Sequence, residues 1–241
     1  MKIIFSAILL LGVFQLNAQS LKNVFSRTIS KSNDNTTAAS LNGDEIGNAL
    51  KEALQKGVER GTAQLSATDG FFKNAAVKIL LPPEAQKAGD KLRALGFDKQ
   101  VDDAVLSMNR AAEDAAKTAA PIFISVIKQM SITDAAGLLK GGDSAATKYL
   151  REKTTVQLTN AFRPVIEQSM AKTDATKYWN TLTTTYNKVP FVKKINTDLA
   201  AYVTEKALSG IFYQLALEEQ QIRTNPVART TDLLKKVFGG N

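Results

Sequence analysis

Few residues in this 241-residue chain are able to carry out chemistry, because the sequence contains no histidine and no cysteine. The absence of both excludes Ser-His-Asp and Cys-His nucleophilic catalysis, thiol redox chemistry and metal sites built on imidazole or thiolate ligands. Carboxylate chemistry and Ser/Lys chemistry remain. We therefore expect no metal and no cofactor, and we assign no catalytic residue.

Carboxyl groups within apolar helical segments are the main candidates for a polar site. Glu113 with Asp114, and Glu218 with Glu219, offer the paired carboxyl groups that a glycoside hydrolase would need. The same residues also stand three or four positions from an amide or arginine, a spacing that supports ion pairing along one helix. If the two groups meet across a bundle, they form a buried polar network or a small polar site. The candidate polar cluster is Asn109, Arg110, Glu113, Glu218, Glu219, Arg223 and Arg229.

Catalysis by a serine nucleophile would require a lysine or carboxylate base. A Ser-x-x-Lys tetrapeptide occurs at residues 169–172, without the companion motifs of penicillin-binding enzymes. No glycine-rich phosphate loop or Walker motif is present. We therefore predict that the protein is not an enzyme, and a carboxylate-dependent hydrolase is the catalytic alternative.

Binding functions need less specific chemistry, and two of them fit the sequence. In the first, Phe71 and Phe72 anchor an interaction with an envelope protein, because aromatic residues dominate interface hot spots; the alternative is that both rings belong to the core. In the second, apolar helices enclose a lipid or another apolar ligand, which needs a pocket of roughly 300 Å³ or more. The apolar and basic residues at 233–238 would then touch the membrane, or they form a docked terminal helix.

The elements that position these residues are helical. Apolar residues recur at helical spacing from residue 42 almost to the end of the chain, which predicts an all-α multi-helix bundle with proline-kinked helices. Pro121, Pro164 and Pro190 are expected to kink or interrupt helices. Residues 77–81 are the one candidate for a strand.

Other local signals set the expected helix ends. Pro83 suits the first turn of a helix that stops at Gly96, while Ser131 and Asp143 are expected to cap two later helices. The segment 199–222 is apolar on most of its circumference around residues 207–217, which predicts a buried central helix. A last helix after Asn225 would complete a buried C-terminal hairpin of helices.

The N-terminal residues have the pattern of a cleaved signal peptide. Lys2 precedes an apolar stretch of about 14 residues, roughly 21 Å as a helix and too short to cross a bilayer. We predict residues 1–18 as signal peptide with cleavage after Ala18, no transmembrane helix after cleavage, and a periplasmic or secreted protein. Residues 19–41 are predicted as a short amphipathic segment, either an interfacial anchor or a helix lying on the main body, followed by a flexible linker. Residues 42–241 are predicted as one all-helical domain.

The formal net charge is +8, but the basic residues are scattered along the chain. A nucleic-acid-binding protein would present a basic cluster, so we expect no nucleic-acid partner. Attraction to anionic lipid or acidic glycan fits a diffuse charge better, and peripheral membrane contact is compatible with it.

Several motifs, in order and at matching spacing over residues 20–240, carry a family resemblance. They are Asp69-Gly70-Phe71-Phe72 with Asn74, Ile79-Leu80-Leu81-Pro82, Asn109-Arg110-Ala111-Ala112-Glu113, Ala145-Ala146-Thr147 with Tyr149, Tyr202-Val203-Thr204, Glu218-Glu219, Ile222-Arg223 and the tail from Asn225-Pro226 to Gly239. Together they resemble an uncharacterised exported bacterial family, domain of unknown function 4197. The resemblance implies a helical periplasmic or secreted protein and supplies no catalytic residue. We expect a binding or scaffold protein of the cell envelope.

Overall fold

The helical periodicity of the sequence is realised in a computed structural model, which describes residues 43–173, 176–177, 179–180, 183–184, 187–188, 190–191, 194–195 and 198–224. The helices within these ranges are α1 (Gly43–Ser66), α2 (Pro83–Ala94), α3 (Asp98–Ala116), α4 (Ala119–Gln129), α5 (Ile132–Lys140), α6 (Ala145–Ala171) and α7 (Leu199–Thr224). The described ranges contain no strand, so the predicted all-α class is confirmed. The predicted signal peptide, the segment 19–41, Arg229 and the helix after Asn225 lie outside them.

The prediction of a buried central helix is wrong for one face of α7, because Glu205, Ser209 and Tyr213 follow one another at four-residue spacing and are all exposed. The rest of helix α7 is largely buried. It packs against α1, α3 and α6, and α6 also packs against α3 and α4. Inside, the rings of Phe123 on α4 and Phe212 on α7 meet edge to face with 5.8 Å between their centroids. Such a pair buries a large apolar area and fixes the two helices at one separation.

Several predicted helix ends are confirmed. Pro83 is the first residue of α2, and Gly96 has a φ of +86° after its end. The amide of Gly96 donates to the Arg93 carbonyl and the amide of Phe97 to the Leu92 carbonyl, a Schellman motif. Ser131 forms the predicted capping box with Asp134 at the start of α5.

Three local predictions are wrong. Residues 77–81, the one candidate for a strand, form an irregular segment that begins in a turn and has no strand partner in the described ranges. Pro164 lies inside the uninterrupted α6, where it faces solvent and water can satisfy the carbonyl that loses its amide donor. Asp143 does not cap α6: the N-cap residue is Ser144, and its side chain makes no capping bond. Pro121 stands in the first turn of α4, after a break at residues 117–118.

No single helix of the described ranges is long and apolar enough to cross a membrane. One pair of segments has the required length and apolar composition only when its two members are counted together. The pair consists of residues Asp98–Gln129 and α5, and it is bent by 105°.

Candidate functional site

The first polar group surrounds the turn that follows α1. Asp69 adopts a left-handed conformation with a φ of +69°. The next residue must be glycine, because a Cβ at Gly70 would stand 2.4 Å from the carbonyl oxygen of Gln64 and 2.6 Å from that of Leu65. The chain therefore folds back over the last turn of α1 and directs the amides of Phe71 and Phe72 toward α3.

Glu113 of α3 receives both of these amides. Its Oε1 accepts hydrogen bonds from the backbone N–H groups of Phe71 at 3.1 Å and Phe72 at 3.2 Å, and the carboxylate is buried. Its Oε2 accepts a hydrogen bond from Arg110 at 2.6 Å. Hydrogen bonds from amides and a guanidinium stabilise a buried carboxylate that burial alone would penalise.

Arg110 connects this buried carboxylate to the surface. Its second terminal nitrogen donates to Asp69 Oδ1 at 2.6 Å, and Lys73 lies 2.8 Å from the other oxygen of Asp69. Hydrogen bonds from Lys73 and then Arg110 lower the pKa of Asp69 below its ordinary 3.8. Asp69 is therefore an anion at neutral pH and a poor proton acceptor.

Asn109 fixes the segment after the turn. Its amide oxygen accepts the Ile79 N–H at 2.8 Å, and its Nδ2 donates to the carbonyls of Ile79 at 2.8 Å and Val105 at 2.7 Å. The two-way bond with Ile79 replaces the strand partner that residues 77–81 lack. The predicted i,i+4 contact between Asn109 and Glu113 is wrong, because the side-chain amide of Asn109 is hydrogen-bonded to Ile79 and Val105 instead.

The two phenylalanines of the turn have different environments. Phe71 is fully buried, with its ring where a Cβ on Gly210 of α7 would stand. Phe71 is therefore a core residue and offers no surface to a partner. Phe72 is only partly buried, with the ammonium of Lys78 at 4.3 Å and the guanidinium of Arg110 at 5.7 Å from its ring centre.

An open depression of about 440 Å³ lies beside this turn. Its lining residues are Gln64, Thr68, Asp69, Gly70, Lys73, Asn74 and Ala75. The lining is polar and carries both signs of charge, which suits a polar segment of another molecule better than a lipid.

The second polar group joins three helices at the connection between α5 and α6. Glu219 of α7 accepts hydrogen bonds from the backbone amides of Ala146 at 3.1 Å and Thr147 at 2.8 Å, and from the Thr147 hydroxyl at 2.8 Å. These amides belong to the first turn of α6, so Glu219 supplies the cap that Ser144 does not provide. A carboxylate at a helix N-terminus also matches the helix dipole.

Arg223, one turn later on α7, satisfies the other end of the same connection. Its guanidinium donates to the carbonyls of Leu138 at 2.9 Å, Leu139 at 3.3 Å and Gly141 at 3.4 Å. It also pairs with Glu219 at 2.9 Å. A cation is the favourable charge at the C-terminal end of α5, where carbonyls lack intrahelical donors.

Glu218 belongs to neither group. Its Oε2 accepts a hydrogen bond from Arg60 of α1 at 2.9 Å, near Gln214 and Gln64, which bond to each other at 3.0 Å. The residues of the candidate cluster are therefore divided between separate sites with different partners. Residues that local spacing did not indicate complete them: Asp69, Ile79 and Thr147.

Space beside the buried carboxylate of Glu219 is small. Two small cavities border it between α1, α6 and α7, each of about 10 Å³, the room that one water molecule occupies. Among the described residues, no group of three acidic side chains is placed to hold a metal ion.

Ser169, from the Ser-x-x-Lys tetrapeptide, is hydrogen-bonded to the carboxylate of Asp114. Its hydroxyl donates to Asp114 Oδ2 at 2.6 Å and links α6 to α3. Hydrogen bonds from Lys117 and Ser169 lower the pKa of Asp114. A carboxylate with a lowered pKa is a weak base for activating a hydroxyl.

The residues that build these sites all lie between residues 40 and 239. A family model described as a protein of unknown function (DUF4197) matches residues 40–239. The chain belongs to this family. No curated protein and no solved structure matches it.

Most of the DUF4197 motifs quoted above contact one another. Glu113 and Asn109 of one motif bond to the motifs at residues 69–74 and 79–82, and Tyr202 donates to the Leu80 carbonyl at 3.1 Å. Glu219 bonds to the motif at 145–149. These motifs hold loops and helix ends in place.

Proposed function

We propose that this DUF4197 protein is a non-enzymatic binding protein of the bacterial cell envelope, and that it recognises a protein partner with the turn at residues 69–74. The observation that carries the proposal is the way Glu113 and Arg110 hold this turn. Glu113 of α3 accepts hydrogen bonds from two backbone amides of the turn. The side chains of Asp69, Phe72 and Lys73 remain accessible to solvent beside an open depression.

A fixed turn is suited to recognition because little conformational entropy is lost when a partner binds. Phe72 offers an aromatic face whose position is set by Lys78 and Arg110, and Lys73 and Asp69 offer charges of both signs. Aromatic and arginine residues are the commonest centres of interface energy.

The alternatives have less support. A carboxylate-dependent hydrolase would need a carboxyl group facing a substrate, whereas Glu113 and Glu219 each accept two backbone amides and an arginine. A lipid carrier would need a pocket of roughly 300 Å³. The small cavities beside Glu219 have about 10 Å³ each, and the larger depression beside the turn is open and lined by polar and charged residues. Export to the envelope rests on the signal-peptide pattern of residues 1–18 and on the family resemblance.

The test compares proteins that co-purify with three tagged chains expressed in their native cells and cross-linked before lysis. The variant Phe72→Ala/Lys73→Glu removes the aromatic face and reverses one charge of the turn. The control Phe97→Ala/Lys87→Glu makes the same types of change at two exposed residues elsewhere, Phe97 in the connection between α2 and α3 and Lys87 on α2. Recovery from the envelope fraction also tests the location.

We expect a partner that the wild type and the control recover equally and that the turn variant recovers about tenfold less, the effect of losing one interface hot spot. Equal recovery by all three chains would overturn the assignment to this turn. Hydrolase activity of the purified wild type that disappears in Glu113→Gln would overturn the non-enzymatic function.

A further inference from the structure

A second exposed feature lies between α6 and α7, where Phe191 stands entirely in solvent. Its exposed fraction is 108% of the reference value, the largest of any large apolar residue in the described ranges. Its φ is +66°, in the left-handed region that bulky side chains rarely occupy. A residue whose backbone is strained and whose aromatic side chain is fully exposed indicates a functional constraint on its position.

The base of the loop that carries Phe191 is closed. The side-chain amide of Asn187 donates to the Ile195 carbonyl at 2.7 Å and accepts the Ile195 N–H at 2.7 Å. Ile195 itself is buried, and the amide of Asn187 donates to the carbonyl of Thr183, whose side chain is also buried. The two ends of the loop are therefore tied to each other and to the core.

The exit from the loop is also anchored. Asp198 caps the start of α7 by accepting the Ala201 N–H at 2.9 Å, and it pairs with Arg163 of α6 at 2.7 Å. Pro190, immediately before Phe191, restricts its own φ. Because base and exit are held, the exposed position of Phe191 is built into the fold.

The charge around the tip has one sign. Lys188 and Lys194 are exposed on its two sides. From residue 175 to residue 197 the sequence contains lysines and no acidic residue. The tip is thus an apolar ring between cations, which complements a surface that is anionic outside and apolar beneath.

We propose that the tip at Phe191 inserts its ring into the interface of an anionic lipid bilayer, while Lys188 and Lys194 contact the headgroups. A protein partner is less suitable, because one ring and two lysines offer far less than the roughly 800 Å² per partner of a standard protein interface. This membrane contact goes beyond the proposed recognition turn and rests on different residues. Either proposal stands if the other fails.

The experiment uses the purified mature chain and vesicles of phosphatidylglycerol mixed with phosphatidylcholine, or of phosphatidylcholine alone. Binding is measured by co-sedimentation for the wild type, Phe191→Ala, Lys188→Gln/Lys194→Gln and the control Phe97→Ala, which removes an exposed ring elsewhere. Thermal melting confirms that each variant is folded. A Phe191→Trp variant reports insertion through quenching by brominated lipid, measured against the wild type, whose one tryptophan is the buried Trp179.

We expect binding to the anionic vesicles that weakens about tenfold in Phe191→Ala, as expected for withdrawing one large apolar side chain. The double lysine variant is expected to bind the anionic vesicles more than tenfold less tightly than the wild type, and added salt should weaken vesicle binding further. Phe97→Ala should bind as the wild type does, and the tryptophan variant should be quenched only with anionic vesicles.

Three results would overturn the proposal. They are equal vesicle binding by Phe191→Ala and wild type, equal binding to vesicles with and without phosphatidylglycerol, and no quenching of the tryptophan variant. Loss of a cross-linked protein in Phe191→Ala, with vesicle binding unchanged, would assign the tip to a protein instead.

Discussion

The two buried carboxylates, Glu113 and Glu219, use similar bonds for different purposes. Each accepts two backbone amides from a distant segment and pairs with an arginine three or four residues away on its own helix. Glu113 binds the amides of a turn, and its arginine continues outward to Asp69. Glu219 binds the first turn of α6, and its arginine continues inward to the carbonyls at the end of α5.

The arginines that pair with Glu113 and Glu219 differ in their exposure to solvent. The Arg110 side chain is 36% exposed and that of Arg223 only 14%. Water can replace part of what Arg110 contacts, whereas little water reaches Arg223. We infer that the Glu219 site is needed mainly for stability, and that the Glu113 site also shapes an accessible surface.

The strongest way to break this comparison is to remove Glu219. The change Glu219→Ala leaves two helical amides without a cap and Arg223 without its counter-ion, so we expect a loss of about 3–5 kcal/mol in the free energy of unfolding. Chemical denaturation measures it. The neighbouring change Glu218→Ala is the control and should cost about 1 kcal/mol or less, because its partner Arg60 is exposed. Equal losses in the two variants would contradict the assignment.

Removing Glu113 is expected to cost less than removing Glu219. In Glu113→Ala the amides of Phe71 and Phe72 lose their acceptor, but Arg110 keeps Asp69 and its access to water. We expect a loss of about 2–3 kcal/mol in the free energy of unfolding, with hydrogen exchange increasing at residues 71 and 72 before global unfolding. A loss greater than that of Glu219→Ala would reverse the comparison.

Replacing each arginine by lysine sharpens the contrast. A lysine cannot reproduce the planar donor fork. In Arg223→Lys, the carbonyls of Leu138, Leu139 and Gly141 lose guanidinium hydrogen bonds. We expect the free energy of unfolding to fall by about 2 kcal/mol. The exposed Arg110→Lys should cost about 0.5 kcal/mol. Parallel urea denaturation curves measure both, and similar costs would show that exposure does not distinguish the sites.

The smallest expected effect concerns acid. Because hydrogen bonds lower the pKa of Asp69 in the folded state, its stabilising contribution is present above the ordinary pKa of 3.8 and is lost as pH falls through the lowered value. Asp69→Asn keeps a residue type that tolerates positive φ and removes this titration. Stability measured from about pH 6 to about pH 2.5 should therefore fall less steeply in the variant. An unchanged slope would contradict the role of Asp69.

Local patterns predicted much of the fold. Helical periodicity predicted the all-α class, and Pro83, Gly96 and Ser131 predicted helix ends, because these signals act within one helical turn. The spacing of Glu219 and Arg223 also gave their ion pair correctly.

The polar sites were predicted only in part, because their second partners are distant in sequence. Glu219 reaches an amide 73 residues away and Glu113 one 42 residues away, so only the packed helices bring them together. Asp143 has the right residue type for a cap but lies one residue before the N-cap position of Ser144, and a carboxylate from α7 accepts the amides of the first turn instead. The exposure of Phe72 and the burial of Phe71, adjacent residues of one type, depend on Gly210 of a distant helix.

The position of Glu219 and Arg223 late in the chain also sets an order for folding during synthesis. The corner between α5 and α6 is made by the ribosome about 75 residues before the two side chains that complete it. Until α7 emerges, the amides of Ala146 and Thr147 lack the carboxylate that caps them in the folded protein. We therefore expect that proteases cut a chain truncated before residue 219 at this corner first.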